Sequence, residues 1–191
     1  MQIKRLLAMS AFPTFAALLV AGNNPKATGS VSWVNPRAVA YVEGGGCRLV
    51  SRNRNAFKTF EPLAQAIGQE LSGRSAILDG EIVRPGPDGR PMFYELMRRR
   101  GPFCFYAFDL VWLDGKDLRD HPLLERKRLL RKLLPRRAQS ALYVEHVATG
   151  ADLFRVICDR DMEGIVAKQA SARYTPEATT WVKIKNRMAP G

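Results

Sequence analysis

The chain is short of acid and of metal-binding side chains. Eighteen Asp and Glu stand against thirty Lys and Arg, a formal charge of +12 over 191 residues. An excess of this size favours polyanions, nucleic acid or nucleotide phosphates, although an Arg-rich composition alone gives the same count and charge reports association rather than fold. The three cysteines, Cys47, Cys104 and Cys158, are far apart and form no Cys-x-x-Cys pair, and only His121 and His146 supply imidazole. That scarcity excludes a structural zinc site. Cys104 and Cys158 lie in apolar runs and read as buried thiols of a reducing compartment. Internal repeats are absent.

What is present begins with an atypical start. Lys4 and Arg5 precede a mostly apolar stretch, Leu6 to Ala21, broken by Pro13. It has the outline of a secretory signal but is too short for a membrane span. It reads equally as a core helix, or as a start foreign to the domain behind it. Gly22 to Ser32 is rich in Gly, Asn, Ser and Thr and reads as a linker. The expected division is 1–32 for this segment and linker, and 33–191 for the folded domain.

The remainder has the period of strands and helices. Arg37–Glu43 and Cys47–Arg52 flank three glycines and predict a hairpin. Leu63, Ala64, Ile67 and Leu71 are spaced for a helix over Phe60–Leu71. Ala76–Arg84 predicts a strand, Pro85–Gly89 a turn, and Met92–Arg100 a short helix. Phe103–Leu113 is a near-continuous apolar run, a central strand. Leu123–Leu134 is an amphipathic helix dense in Arg and Lys, bounded by prolines. Leu142–Val147 predicts a strand, and Thr149 with Asp152 the start of a helix reaching Arg160. Gly164–Lys168 and Thr180–Lys185 predict the last strands. The class is α+β, antiparallel sheet with helices outside.

Four constellations carry chemistry, each with a plainer reading beside it. Asp79 and Glu81 alternate around Gly80, so both carboxylates project from one face of a strand; they hold a hydroxyl, a metal ion or a basic partner, or simply end a strand at a turn. Phe108 shares a face with Tyr106 and either stacks on a purine or packs the core. Glu163 stands before an apolar strand beside Gly164, as a cation ligand or a turn acid. Lys183 and Lys185 alternate with Val182 and Ile184, which are expected to face the core; two ammonium groups on one side need an anion between them, or guard an exposed edge. Ser51-Arg52-Asn53 follows the hairpin and is either a phosphate contact or a polar loop.

In this order, Leu78-Asp79-Gly80-Glu81, Phe108-Asp109-Leu110, Met162-Glu163-Gly164-Ile165-Val166-Ala167-Lys168 and Trp181-Val182-Lys183-Ile184-Lys185 resemble the adenylation domain of bacterial ATP-dependent DNA ligases. The resemblance spans roughly Arg37 to Arg187. It implies an ATP-grasp-like nucleotidyltransferase core of antiparallel sheets flanked by helices, with no residues matching the C-terminal oligonucleotide-binding domain. It implies ATP and Mg2+ as cofactors, nicked duplex DNA as partner, nick sealing through lysyl-AMP in DNA repair and recombination, and a cytoplasmic location. Carried over by position, Arg37, Arg52, Glu81, Phe108, Lys183 and Lys185 bind the nucleotide and Glu163 holds the metal. Ser32 stands five positions before Arg37, where the family has its nucleophilic lysine; the nearest upstream lysine is Lys26. Serine has no amine to form the phosphoramidate. A domain impaired in ligation is therefore expected. A non-catalytic nucleotide- or DNA-binding remnant, or a relative of RNA ligases and capping enzymes, is the alternative. Lys183 and Lys185 are expected to face a pocket lined by Glu81 and Glu163, with Phe108 on its wall.

Overall fold

The computed structural model describes residues 15–20, 36–51, 53–86, 98, 101–147, 150–159, 164–175 and 181–186, with the backbone alone for 15–20 and Lys183. The expected helix over Met92–Arg100, most of the turn at Pro85–Gly89 and the Thr149 cap lie outside these residues.

Two sheets form the frame. The larger is six-stranded, in the order β3-β2-β4-β5-β6 with β7 added alongside β5. Its strands are β2 (Arg37–Glu43), β3 (Gly46–Ser51), β4 (Ala76–Val83), β5 (Cys104–Leu113), β6 (Lys116–Asp117) and β7 (Ala141–Tyr143). All neighbours are antiparallel except β5 and β7. The β2–β3 hairpin turns at Gly44 and Gly45, with φ of 57° and 79°, where an L side chain is strained.

The core lies on one face of this sheet. Ala38, Ala40 and Val42 of β2 alternate inward and pack with Leu78, Ile82, Phe105, Ala107 and Leu110. Helix α1 (Glu61–Glu70) covers them with Leu63, Ala64 and Ile67. It comes so close to the hairpin that a Cβ on Gly68 would lie 2.5 Å from the Gly45 carbonyl oxygen. Helix α2 (Leu123–Leu133) adds Leu130 and Leu133. Gly80 is demanded by the same packing: a Cβ there would lie 2.4 Å from the Phe105 ring.

The second sheet is four-stranded, β10-β9-β1-β8. Its strands are β1 (Phe15–Val20), β8 (His146–Val147), β9 (Gly164–Gln169) and β10 (Trp181–Lys185). The apolar start is thus a strand here, hydrogen-bonded antiparallel to both β8 and β9. Helix α3 (Gly150–Cys158) lies against β9 and β1, and its Ile157 meets Ile165 in a small cluster.

Three expectations need correction. Val182 and Ile184 do not face a core: they are 59% and 40% exposed. Strand β10 is the edge of its sheet, and α3 covers β9 and β1 instead. The strand expected over Leu142–Val147 divides into β7 and β8, one in each sheet. Cys158 is only half-buried, whereas Cys104 is buried.

Candidate active-site cleft

The site face of the larger sheet is the one turned away from α1. Glu81 pairs with Tyr106 across β4 and β5, and Asp79 pairs with Asp109. Simple alternation from Tyr106 would send Asp109 into the core. A register shift between Asp79 and Gly80 prevents this: Gly80 pairs with Ala107, Asp79 with Asp109, and Phe108 is the extra residue. A bulge of this kind re-aims side chains, so the Phe108 ring and the Asp109 carboxylate both reach the cleft.

Two facing carboxylates with no exposed surface require compensation. Each takes one arginine. Arg37 donates from Nε to Asp79 Oδ1 at 3.0 Å and from Nη2 to Oδ2 at 2.5 Å, and the Tyr174 hydroxyl donates to the same Oδ2 at 2.9 Å. Arg126 of α2 donates from Nε and Nη2 to the two oxygens of Asp109 at 2.8 and 2.9 Å. Its Nη1 reaches the carbonyl oxygens of His121 and Ala172 at 2.5 and 3.0 Å, so the guanidinium is satisfied although 2% exposed. These forked pairs fix both planes as well as both charges.

The smaller sheet supplies the opposite wall. Trp181 of β10 pairs with Lys168 of β9, and Lys185 pairs with Gly164. A Cβ on Gly164 would lie 2.1 Å from the Ile184 carbonyl oxygen, which keeps this position glycine. The Phe108 and Trp181 rings meet edge to face with centroids 6.0 Å apart. Lys168 Nζ stands 3.5 Å from the Trp181 centroid and 4.5 Å from that of Phe108. The Arg37 guanidinium carbon lies 4.8 and 5.7 Å from the same rings. Rings presenting their faces to cations in a dry site are attractive partners.

Burial pulls the Lys168 ammonium down to about 8; Asp109 and Asp79 resist, and Arg37 and Arg126 add to the fall. Lys127 on α2 falls further, to about 7, through burial and the neighbouring Lys168. It donates to the Val144 carbonyl oxygen at 2.6 Å and lies 4.3 Å from the Tyr143 ring centroid. Burial, and then Lys127, take His146 to about 4.

The cleft thus assembles Arg37 and Phe108 from the expected set. Glu81 lies on the same face of β4 and is half-buried. Lys185 is exposed at the far end of β10. Ser32, Arg52, Glu163 and the Lys183 side chain lie outside the described residues. Asp109, Arg126, Lys168, Tyr174 and Trp181 complete the cleft and were not assigned to it from the sequence. Lys168 was legible by strand alternation, two positions after Val166; Arg126, on a helix full of basic residues, had no distinguishing signal. As for Mg2+, the described residues contain no cluster of three His, Cys, Asp or Glu, and Asp79 and Asp109 spend their oxygens on arginine. They do not fit a metal ion. Among the described residues no helix is long and apolar enough to cross a membrane.

A two-sheet cleft lined by aromatic rings and cations defines a nucleotidyltransferase-type core. The profile of the ATP dependent DNA ligase domain matches residues 36–185, and the chain belongs to that family. The DNA ligase of Methanothrix thermoacetophila is 30% identical over 170 residues, which cover 78% of this chain and 30% of that protein. The multifunctional non-homologous end joining DNA repair protein LigD of Mycobacterium tuberculosis is 31% identical over 161 residues, 81% of this chain and 21% of LigD. The chain therefore spans less than a third of either relative. The ligase domain from M. tuberculosis LigD has the same fold, with a TM-score of 0.72 and 29% identity over 90% of this chain and 53% of that one. A mycobacterial DNA ligase D complexed with ATP and MES superposes with a TM-score of 0.73 at 28% identity, over 90% of this chain and 54% of its own.

Proposed function

We propose that the chain is an ATP- and DNA-binding adenylation domain of a DNA-repair ligase, impaired in self-adenylation. The observation that carries this reading is the cleft: Arg37 and Phe108 from one sheet meet Lys168 and Trp181 from the other. The ATP complex of a mycobacterial relative with the same fold supports ATP as the nucleotide. In this reading the base enters against Phe108, and the phosphates lie toward Lys183 and Lys185. Arg37, held by Asp79, keeps the cleft entrance positive. Bound Mg2+ would screen the phosphates, with Glu163 as its ligand. Ser32 stands where an amine is needed, so no P–N bond forms at that position. Nicked duplex DNA, in repair and recombination, is the second partner, drawn by the +12 charge.

The test is calorimetric titration with ATP together with denaturing gels after incubation with α-labelled ATP. Saturable binding without a labelled band is expected. No binding removes the nucleotide reading, and a band lost on Lys26→Ala makes Lys26 a nucleophile. Binding to nicked DNA should weaken steeply with salt; an affinity indifferent to salt contradicts electrostatic capture.

A further inference from the structure

Among the described residues, one buried side-chain polar atom has no hydrogen-bond partner: Lys168 Nζ. Its surroundings make the deficit specific. Asp79 and Asp109 are engaged by Arg37 and Arg126, and the neighbouring Lys127 has the Val144 carbonyl oxygen. The ammonium is 2% exposed and is met only by the faces of Trp181 and Phe108. Ring faces attract its charge but accept none of its protons in line as a lone pair does. A buried donor left unmade costs roughly 1–3 kcal/mol, and more when charged.

We infer that Lys168 reads the nucleobase: its ammonium donates to a ring nitrogen of a purine seated against Phe108. The inference rests on the nucleotide reading above and deepens it. Position along the strand is the first argument. Gly164 pairs with Lys185, Val166 with Lys183, and Lys168 with Trp181. At about 3.3 Å per residue, Lys168 lies roughly 13 Å along the strand from the level of Lys185. It marks the deep end of the cleft, and Lys185 the exposed end. Charge is the second argument. The carboxylates of Asp79 and Asp109 act directly on Lys168, which opposes a phosphate at this end and leaves room for a neutral acceptor. The aromatic setting is the third: a base approaching Phe108 meets Lys168 at the ring it must stack on.

The experiment is calorimetry on wild type and Lys168→Met with three probes: adenosine, ATP and inorganic tripolyphosphate. Adenosine and ATP should both weaken, by the same factor of roughly tenfold or more, because a charge-assisted hydrogen bond is lost. Tripolyphosphate should bind both proteins alike. Wild-type adenosine affinity should fall from pH 7 to 9 as Lys168 deprotonates, and the variant should lose that slope. The groups facing Lys168 are Arg37 on β2, Asp79 on β4, Asp109 on β5, Arg126 and Lys127 on α2, and Tyr174 after β9. Of the lysines, Lys127 titrates lower, near 7, so a slope that persists in Lys168→Met belongs to Lys127 and counts against the inference. A loss confined to ATP and tripolyphosphate makes Lys168 a phosphate ligand and overturns it. Unchanged adenosine and ATP binding overturns it while leaving the nucleotide reading intact, and a wild type that binds neither removes both. Circular dichroism checks folding. Removal of an unpaired buried charge should leave Lys168→Met at least as heat-stable as wild type; a variant that does not fold assigns Lys168 a structural role instead.

Discussion

The two sheets are held together by different means. The larger has a continuous core in which Ile67, Leu78, Ile82, Phe105 and Leu110 have no exposed surface, covered by two helices. Its central strands are neighbours in sequence or nearly so. The smaller sheet collects strands from residues 15 to 185 and has a buried cluster of Ile157 and Ile165 alone. Its cleft face meets the larger sheet through rings and charges rather than aliphatic packing. Stability and recognition are thereby separated: the large core maintains the fold, while the cleft tolerates buried charge and an unpartnered amine because the core does not depend on it.

Mutation can break this contrast in graded steps. Phe105→Ala removes the ring that packs beneath Gly80 and should cost about 3–5 kcal/mol in urea unfolding, with both sheets lost in one transition. A small effect there would place the main core elsewhere. Arg126→Ala leaves the Asp109 carboxylate buried and uncompensated, and a loss of about 3–5 kcal/mol is expected. Protonating Asp109 should restore part of it, so the deficit should shrink at low pH; a pH-independent deficit would instead indicate lost packing. Ile157→Val trims the small cluster and should cost about 0.5–1.5 kcal/mol. Hydrogen exchange sharpens this case: protection should fall in β9 and β1 while β4 and β5 keep theirs, and a uniform fall would mean the sheets unfold as one.

Lys168 tests the charged cleft directly. Its folded value is near 8 against an ordinary 10.5. Between those values the unfolded chain binds more protons, so stability rises with pH over that window and gains nothing below it. Melting temperature should therefore climb from pH 8 to 10 less in Lys168→Met than in wild type. Equal slopes would show that Lys168 is not the titrating group. The smallest effect is expected at Arg119, whose guanidinium forks onto Asp117 in full solvent exposure. Arg119→Ala should leave the urea midpoint unmoved, since exposed pairs contribute little.

Much of this architecture is legible from local pattern. The β2–β3 hairpin, α1, α2 and β4 follow from glycine placement and from periods of 2 and 3.6, because each buries one side against the same core. The order of the Asp79-Gly80-Glu81, Phe108 and Trp181–Lys185 segments was enough to indicate the family. The bulge at Phe108 was not legible, since nothing in Phe-Asp-Leu announces an extra residue and only pairing with β4 creates it. The exposure of Val182 and Ile184 was hidden for a similar reason: alternation says which side chains share a face, not whether anything covers it.

The sequence by itself determined the elements, their two-sided character and the chemical inventory of the cleft, because those depend on neighbours a few positions apart. Tertiary structure alone decided which charges are spent on one another. Arg37 and Asp79 are 42 positions apart, Arg126 and Asp109 are 17, and Tyr174 and Asp79 are 95. Only when the two sheets face each other does the pairing of those groups leave Lys168 buried without a partner.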